Sequence, residues 1–345
     1  MRAGLIALLA FVAGVAVAIG FGLVRPGPPR PQATVRSAAP SKTGPVAPSS
    51  RKRLLDAESP PSLLPDRGWP RSAPTPEQVV YAQTDLLDEA IARLKPRTPG
   101  KVNLYAIAFA GDGGENVFRN ETEYFGRLFS RRFGAAGHVL VLENNPAALT
   151  TRPLANWSNL ESALDAVAEK MDPKQDILLL YLTTHGSEDH TLLVDMDPLP
   201  LDQIGAEDLS GILDEHPFKY RVVIVNACYS GGFIPPLRGN GTMVITAARS
   251  DRSSFGCGAQ SQLTWFGHAF LVDALNREAD FRRAFADARA EVAQWEKREH
   301  YTPSEPQIYA GSAVVAQLAK WRKGFAPGPA LPFAPAKSTS TGTLH

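Results

Sequence analysis

Residues 220–233 read YRVVIVNACYSGGF. Val222, Val223, Ile224 and Val225 form a short β-branched apolar run, the pattern of a strand buried on both faces. The chain then turns through Asn226, Ala227, Cys228, Tyr229 and Ser230, and Gly231 and Gly232 permit a tight turn. A thiol therefore stands just past the C-terminal end of a predicted central strand. Open α/β sheets place their ligands outside the carboxyl ends of their strands. A lone cysteine is more often buried and inert, so this stretch needs a partner before it implies chemistry.

Residues 176–186, DILLLYLTTHG, repeat the build. Ile177 to Leu182 read as a buried strand, and Thr183, Thr184, His185, Gly186 and Ser187 follow it. His185 holds the same place relative to its strand as Cys228 does to its own. If the two strands are parallel neighbours, imidazole and thiol meet at one edge of the sheet. A neighbouring imidazole favours the thiolate, the nucleophilic form of cysteine.

These residues carry a resemblance. T-T-H-G-S at 183–187, N-A-C-Y-S-G-G at 226–232, the strand Thr242 to Ala248 and R-S-S-F-G-C at 252–257 are similar to the legumain family of cysteine peptidases, within the caspase-like clan. The similarity runs over about residues 101–307 and is that of a bacterial-type, membrane-anchored or exported member. It implies an α/β, caspase-like fold, with a mostly parallel sheet and helices on both faces. It also implies a cysteine endopeptidase with Cys228 as nucleophile, His185 as acid/base and a thioester acyl-enzyme. The backbone N–H groups of Gly186 and Cys228 would hold the oxyanion. The expected partner is a protein or peptide substrate, and neither cofactor nor metal is expected. Because the family contains hydrolases and transamidases, a transamidase on the same two residues stays open.

The resemblance extends to the substrate pocket. Arg119, in Phe118-Arg119-Asn120, and Ser253 match pocket residues of the family. Its acidic positions are replaced here by Tyr229 and His268. An amide side chain needs acceptors as well as donors from its pocket. Strict asparaginyl specificity is therefore expected to be lost, with an acidic or small residue preferred instead. The alternative is that Arg119 pairs with Glu121 or Glu123 and leaves the pocket apolar.

Around this core the chain divides by composition. Ala3 to Val24 carries no charged side chain and is flanked by Arg2 and Arg25, so residues 1–24 read as a transmembrane anchor or signal peptide. The protein is then expected to be membrane-anchored or exported, its peptidase domain extracytoplasmic. Residues 25–74 are a Pro/Ala/Ser-rich linker expected to be disordered, residues 75–325 the folded domain, and residues 326–345 a disordered tail. That tail is too short to bury a core of its own, so no autoinhibitory C-terminal domain is expected and its removal should leave activity unchanged.

Within the domain, Thr75, Pro76 and Gln78 open a helix with a capping box. A strand over 102–108 leads into Gly111-Asp112-Gly113-Gly114-Glu115, which lacks the ending of a phosphate-binding loop and reads as a wall of the cleft. Helices are expected over 121–133 and from a capping box at Ser158-Glu161 to Met171, with a strand over 138–142 between them. Further strands are expected over 243–246 and 307–310, and helices over 266–275, 281–297 and 313–321. Alternating strands and helices indicate a parallel, doubly wound sheet.

The formal net charge of +1 gives no footing for nucleic acid binding. Other readings of the residues stand beside the peptidase. Ser230 is a candidate α/β-hydrolase nucleophile, with Asp273 and His300 downstream. His185, Glu188, Asp189 and His190 carry metal-ligating groups but lack a helical register. The scaffold could also serve as a non-catalytic binding module. Cys228 and Cys257 are the chain's two cysteines, and spacing leaves a redox pair between them open.

Overall fold

The structure, a computed structural model, describes residues 69–70, 73–258 and 260–336. Contacts divide the chain into Met1–Pro61 and Ser62–His345, and every described residue belongs to the second unit. The apolar run expected at 1–24 and nearly all of the linker lie outside the described residues. Among those described, no helix is long and apolar enough to cross a membrane.

The apolar runs form one six-stranded sheet. Its strands are β1 (Leu104–Ala110), β2 (Val139–Glu143), β3 (Ile177–Thr183), β6 (Arg221–Asn226), β7 (Thr242–Thr246) and β8 (Gln307–Ala310). They lie in the order β2-β1-β3-β6-β7-β8, all parallel except the antiparallel edge strand β8. β1 and β3 are buried along their whole length, as continuous apolar runs in a sheet covered on both faces must be. A two-stranded ribbon, β4 (Thr191–Leu192) with β5 (Ile204–Gly205), follows the loop after β3.

Two helical layers sandwich the sheet. Alternate residues of β1, β3 and β6 (Ala106, Tyr181, Ile224) face α3 (Asn116–Arg131), α9 (Phe281–Arg298), α10 (Ser312–Lys323) and the helical run 265–277. That run comprises α7 (Trp265–Gly267), a π-helical turn His268–Ala274 and α8 (Leu275–Arg277). The opposite residues (Ile107, Leu180, Val223) face α2 (Gln83–Ala92), α4 (Trp157–Lys170), α5 (Ala206–Asp214) and α6 (Ile234–Leu237). Ahead of α2, α1 (Pro76–Tyr81) carries the expected capping box on Thr75 and Gln78.

Three expectations shift. First, α3 begins at Asn116 rather than 121, because Val117 and Phe118 bury against Ala110 and draw the chain into a helix directly after the glycine-rich loop. Arg119 is therefore on a helix. Second, α4 is capped by Asn156, whose side chain accepts from Asn159 N at 2.8 Å, so Ser158 lies inside the helix.

Third, residues 326–336, expected as part of a disordered tail, form an ordered strap across α3. The Tyr124 hydroxyl donates to the Leu331 carbonyl at 2.7 Å, and Asn276 Oδ1 accepts from Leu331 N at 2.8 Å. Gly328 N donates to the Arg132 carbonyl at 2.9 Å, and Ala336 N to Asn120 Oδ1 at 2.9 Å. Leu331 and Phe333 pack on the core, Phe333 edge-on to Tyr124 at 5.6 Å. The prolines hide this strap from periodicity, and only its apolar residues betray it. Deleting residues 327–345 is therefore expected to destabilise the domain by roughly 2–4 kcal/mol, the scale of two partly buried apolar side chains and their hydrogen bonds. Chemical denaturation of the full-length and truncated chains would read it, and an unchanged midpoint would refute it.

Candidate active site

β3 and β6 are adjacent and parallel, with Thr183 opposite Asn226. His185 and Cys228 each stand two residues beyond that pair, so the matched positions read from sequence are matched in space. The site lies at the carboxyl ends of the strands, beside the β1–β3 point where the chain path reverses direction across the sheet.

One fully buried carboxylate ties these ends together. Glu121 Oε2 accepts from the Tyr181 hydroxyl (2.8 Å), the Thr183 hydroxyl (2.6 Å) and Asn226 Nδ2 (2.7 Å). Its Oε1 accepts from the backbone N of Thr264 at 2.7 Å. Both strands and the loop that ends at α7 thus converge on one side chain of α3. Burial and the adjacent Glu121 carboxylate raise the Tyr181 pKa well above its ordinary value, which keeps the phenol a donor.

His185 is held by the loop after β1. Its Nε2 lies 3.5 Å from Asp112 Oδ2 and 3.5 Å from Glu115 Oε2, and the Phe118 ring meets it edge-on at 5.1 Å. Burial pushes both carboxyl pKa values up, while the imidazole draws them back down. Asp112 Oδ1 accepts from Gly114 N at 2.8 Å, and Gly111 N donates to the Thr183 carbonyl at 3.1 Å. Gly186 follows His185, and a Cβ there would lie 2.2 Å from the Cys228 carbonyl oxygen, so only glycine lets the two loops touch. Neither the Gly186 nor the Cys228 N–H makes a hydrogen bond among the described residues. A cleft of about 630 Å³ opens beside His185, lined by Gly186, Glu188, Leu193 and Gln203 among others.

The thiol of Cys228 is half-buried and surrounded by donors. Ser254 N lies 3.3 Å from its sulfur and the Ser254 hydroxyl 3.6 Å. The Cys257 hydrogen bond, Ser254 and the nearby His185 hold the Cys228 pKa down to about 5 against the opposing cost of burial. Tyr229 turns the chain through a left-handed conformation at φ 55°, fixed by its N–H donating to the Arg252 carbonyl at 2.7 Å. The turn therefore rests on Tyr229 rather than on the glycines. Gly232 supplies space instead, since a Cβ there would meet the His190 ring at 2.1 Å.

The expected pocket residues separate into two groups. The Tyr229 hydroxyl lies 3.5 Å from Ser253 Oγ and 3.3 Å from Glu188 Oε1, so these three form one wall. Arg119 points instead toward Glu143 at the end of β2, with its Nε 3.5 Å from Glu143 Oε1 and a side chain only 11 % exposed. Among the described residues its ion pair is thus with neither Glu121 nor Glu123. Burial raises the Glu143 pKa to about 7. His268 is half-exposed against Asp273 at 3.5 Å and the Trp295 ring.

Ser230 is corrected. It is fully buried, and its Oγ accepts from Ala248 N at 3.1 Å, which closes it to a substrate. The proposed quartet of His185, Glu188, Asp189 and His190 does not converge either. Among the described residues His185 groups with Asp112 and Glu115, their ligand-type atoms lying within 4.8 Å of one another. Sequence reading placed the Asp112–Glu115 loop in the cleft without assigning its carboxylates a task. It missed Glu121, whose one signal is an acidic residue on the apolar face of an amphipathic helix.

The family model described as Peptidase C13 family matches residues 154–317, which contain both His185 and Cys228. The chain is a cysteine-type peptidase. Over these residues it is similar to the Peptidase C13, or legumain, family. The match begins after β1 and α3, so Asp112, Arg119 and Glu121 lie outside it. No curated protein matches the chain. Among solved structures, caspase-1 from Spodoptera frugiperda is similar at 16 % identity, covering 61 % of this chain and 87 % of that chain, with a TM-score of 0.43.

Proposed function

We propose that the protein is a cysteine endopeptidase acting through Cys228 and His185. The observation that carries this reading is the parallel register of β3 and β6, which sets an imidazole and a thiol at adjacent strand ends. The Cys228 thiolate attacks the scissile carbonyl. The free N–H groups of Gly186 and Cys228 receive the oxyanion, each such donor being worth about 2.7–4 kcal/mol in comparable sites. His185, oriented by Asp112 and Glu115, protonates the leaving amine as the tetrahedral adduct collapses to a thioester. Water, deprotonated by His185, then attacks the thioester, and Cys228 leaves as thiolate. Tyr229, Ser253 and Glu188 line the substrate side, and Glu188 supplies an acceptor within reach of Tyr229. The uncharged run from Ala3 to Val24 supports export of the domain.

The depressed thiol pKa gives a direct test. A thiol with a pKa of about 5 is almost entirely thiolate at neutral pH, and loses that form only as pH falls through about 5. The rate of iodoacetamide alkylation at Cys228, followed by mass spectrometry, should rise with a midpoint near pH 5 and be level above pH ~7. A midpoint near the ordinary cysteine value of about 8.5 would show an unactivated thiol.

A further inference from the structure

Cys257 is a second thiol that forms no bond to substrate in the peptidase chemistry. It sits on the stretch after β7, next to Gly256, which adopts φ +89°. A Cβ at Gly256 would lie 2.7 Å from Trp265 N, so this conformation is held at a position that only glycine fills. Cys257 packs against Ala110, Val117 and Phe118, and Phe118 is the ring that touches His185. Ser254, from the same stretch, is already fastened to the Cys228 sulfur through its backbone N at 3.3 Å. Both cysteines are free thiols, and both are partly exposed.

We propose that Cys257 is the resolving thiol of a reversible disulfide with Cys228, formed by reaction with a low-molecular-weight disulfide. The Cys228 thiolate attacks one sulfur of R–S–S–R, giving Cys228–S–S–R and releasing RS⁻, which takes up a proton. Cys257 then gives up its proton, and its sulfur attacks the Cys228 sulfur and expels the second RS⁻, which leaves as RSH. Two protein thiols are oxidised to one disulfide, and the small disulfide is reduced to two thiols. The steps follow from who holds the proton. Cys228, with Ser254 N 3.3 Å from its sulfur and His185 at the adjacent strand end, is placed to hold the thiolate and attacks first, whereas Cys257 packs against apolar Ala110, Val117 and Phe118 and resolves. With no third cysteine in the sequence, the pairing is unique.

The loss of activity, though not the bond itself, rests on Cys228 being the nucleophile. The full chain is treated with glutathione disulfide at neutral pH, alkylated, and digested without reduction. A cross-linked peptide pair containing Cys228 and Cys257 is expected. Peptidase activity should fall to the fraction of chains left reduced, and return with dithiothreitol. Cys257→Ala and Cys257→Ser should instead stop at glutathione bound to Cys228. Wild type that accumulates the same stable glutathione adduct, with no cross-link, would overturn the proposal. A cross-link that forms while activity persists would uphold the disulfide and remove Cys228 from catalysis.

Discussion

Replacing Glu121 with leucine is expected to destabilise the domain by roughly 3–5 kcal/mol, the cost of stranding buried donors at one point. The substitution nearly conserves volume, so it isolates the lost acceptors. The N–H of Thr264 and the hydroxyls of Tyr181 and Thr183 lose their acceptor in a buried setting, while the Asn226 amide keeps Thr264 Oγ1 at 2.8 Å. Glu121→Gln should cost less. Asn226 Oδ1 has no hydrogen-bond partner among the described residues, so its amide can turn to accept from the new NH₂ group. Because Thr183 and Asn226 stand two residues before His185 and Cys228, the loss also reaches the chemistry. At temperatures where circular dichroism shows Glu121→Gln folded, kcat should fall while KM changes little. A variant that is less stable but keeps its kcat would reduce Glu121 to a packing residue.

The second large effect concerns the reacting groups. Cys228→Ala should lower kcat by about 10⁴–10⁶, the scale seen when a covalent nucleophile is removed. His185→Ala should fall in the same range, and the double variant should lose little more, since the two act as one unit. Neither change should move the denaturation midpoint far, because both side chains are partly exposed and neither anchors the core. Peptide turnover by Cys228→Ala at the wild-type rate would remove the thiol from the mechanism. Additive losses in the double variant would mean that thiol and imidazole work separately.

The strand-loop stretches around His185 and Cys228 were legible because a parallel sheet turns sequence pattern into position. Each is a continuous apolar run ending in a polar turn, and the register Thr183 to Asn226 aligns those endings. The helix caps were legible where one residue decides them, as at Thr75, and not where two candidates compete, as at Asn156 and Ser158. What holds the site was harder to read. Asp112 and Glu115 reach His185 only because β1 lies beside β3, a neighbour relation that sequence order does not reveal. Glu121 reads as one more charge on a helix until three elements are seen to donate to it. The start of α3, which puts Arg119 on a helix, is hard to read because no side-chain cap marks it. The strap that ends on Asn120 reads as disordered because proline-rich sequence shows no period even when it is pinned at several points.

The most direct test of the account is to trap the acyl-enzyme. A peptide ester turned over by the purified chain is quenched in acid and digested, and the adduct is located by tandem mass spectrometry. The acyl group should be found on Cys228 as a hydroxylamine-labile thioester, and His185→Ala should accumulate little of it. An acyl group on any other residue, or sustained turnover with Cys228 unmodified throughout, would contradict the account.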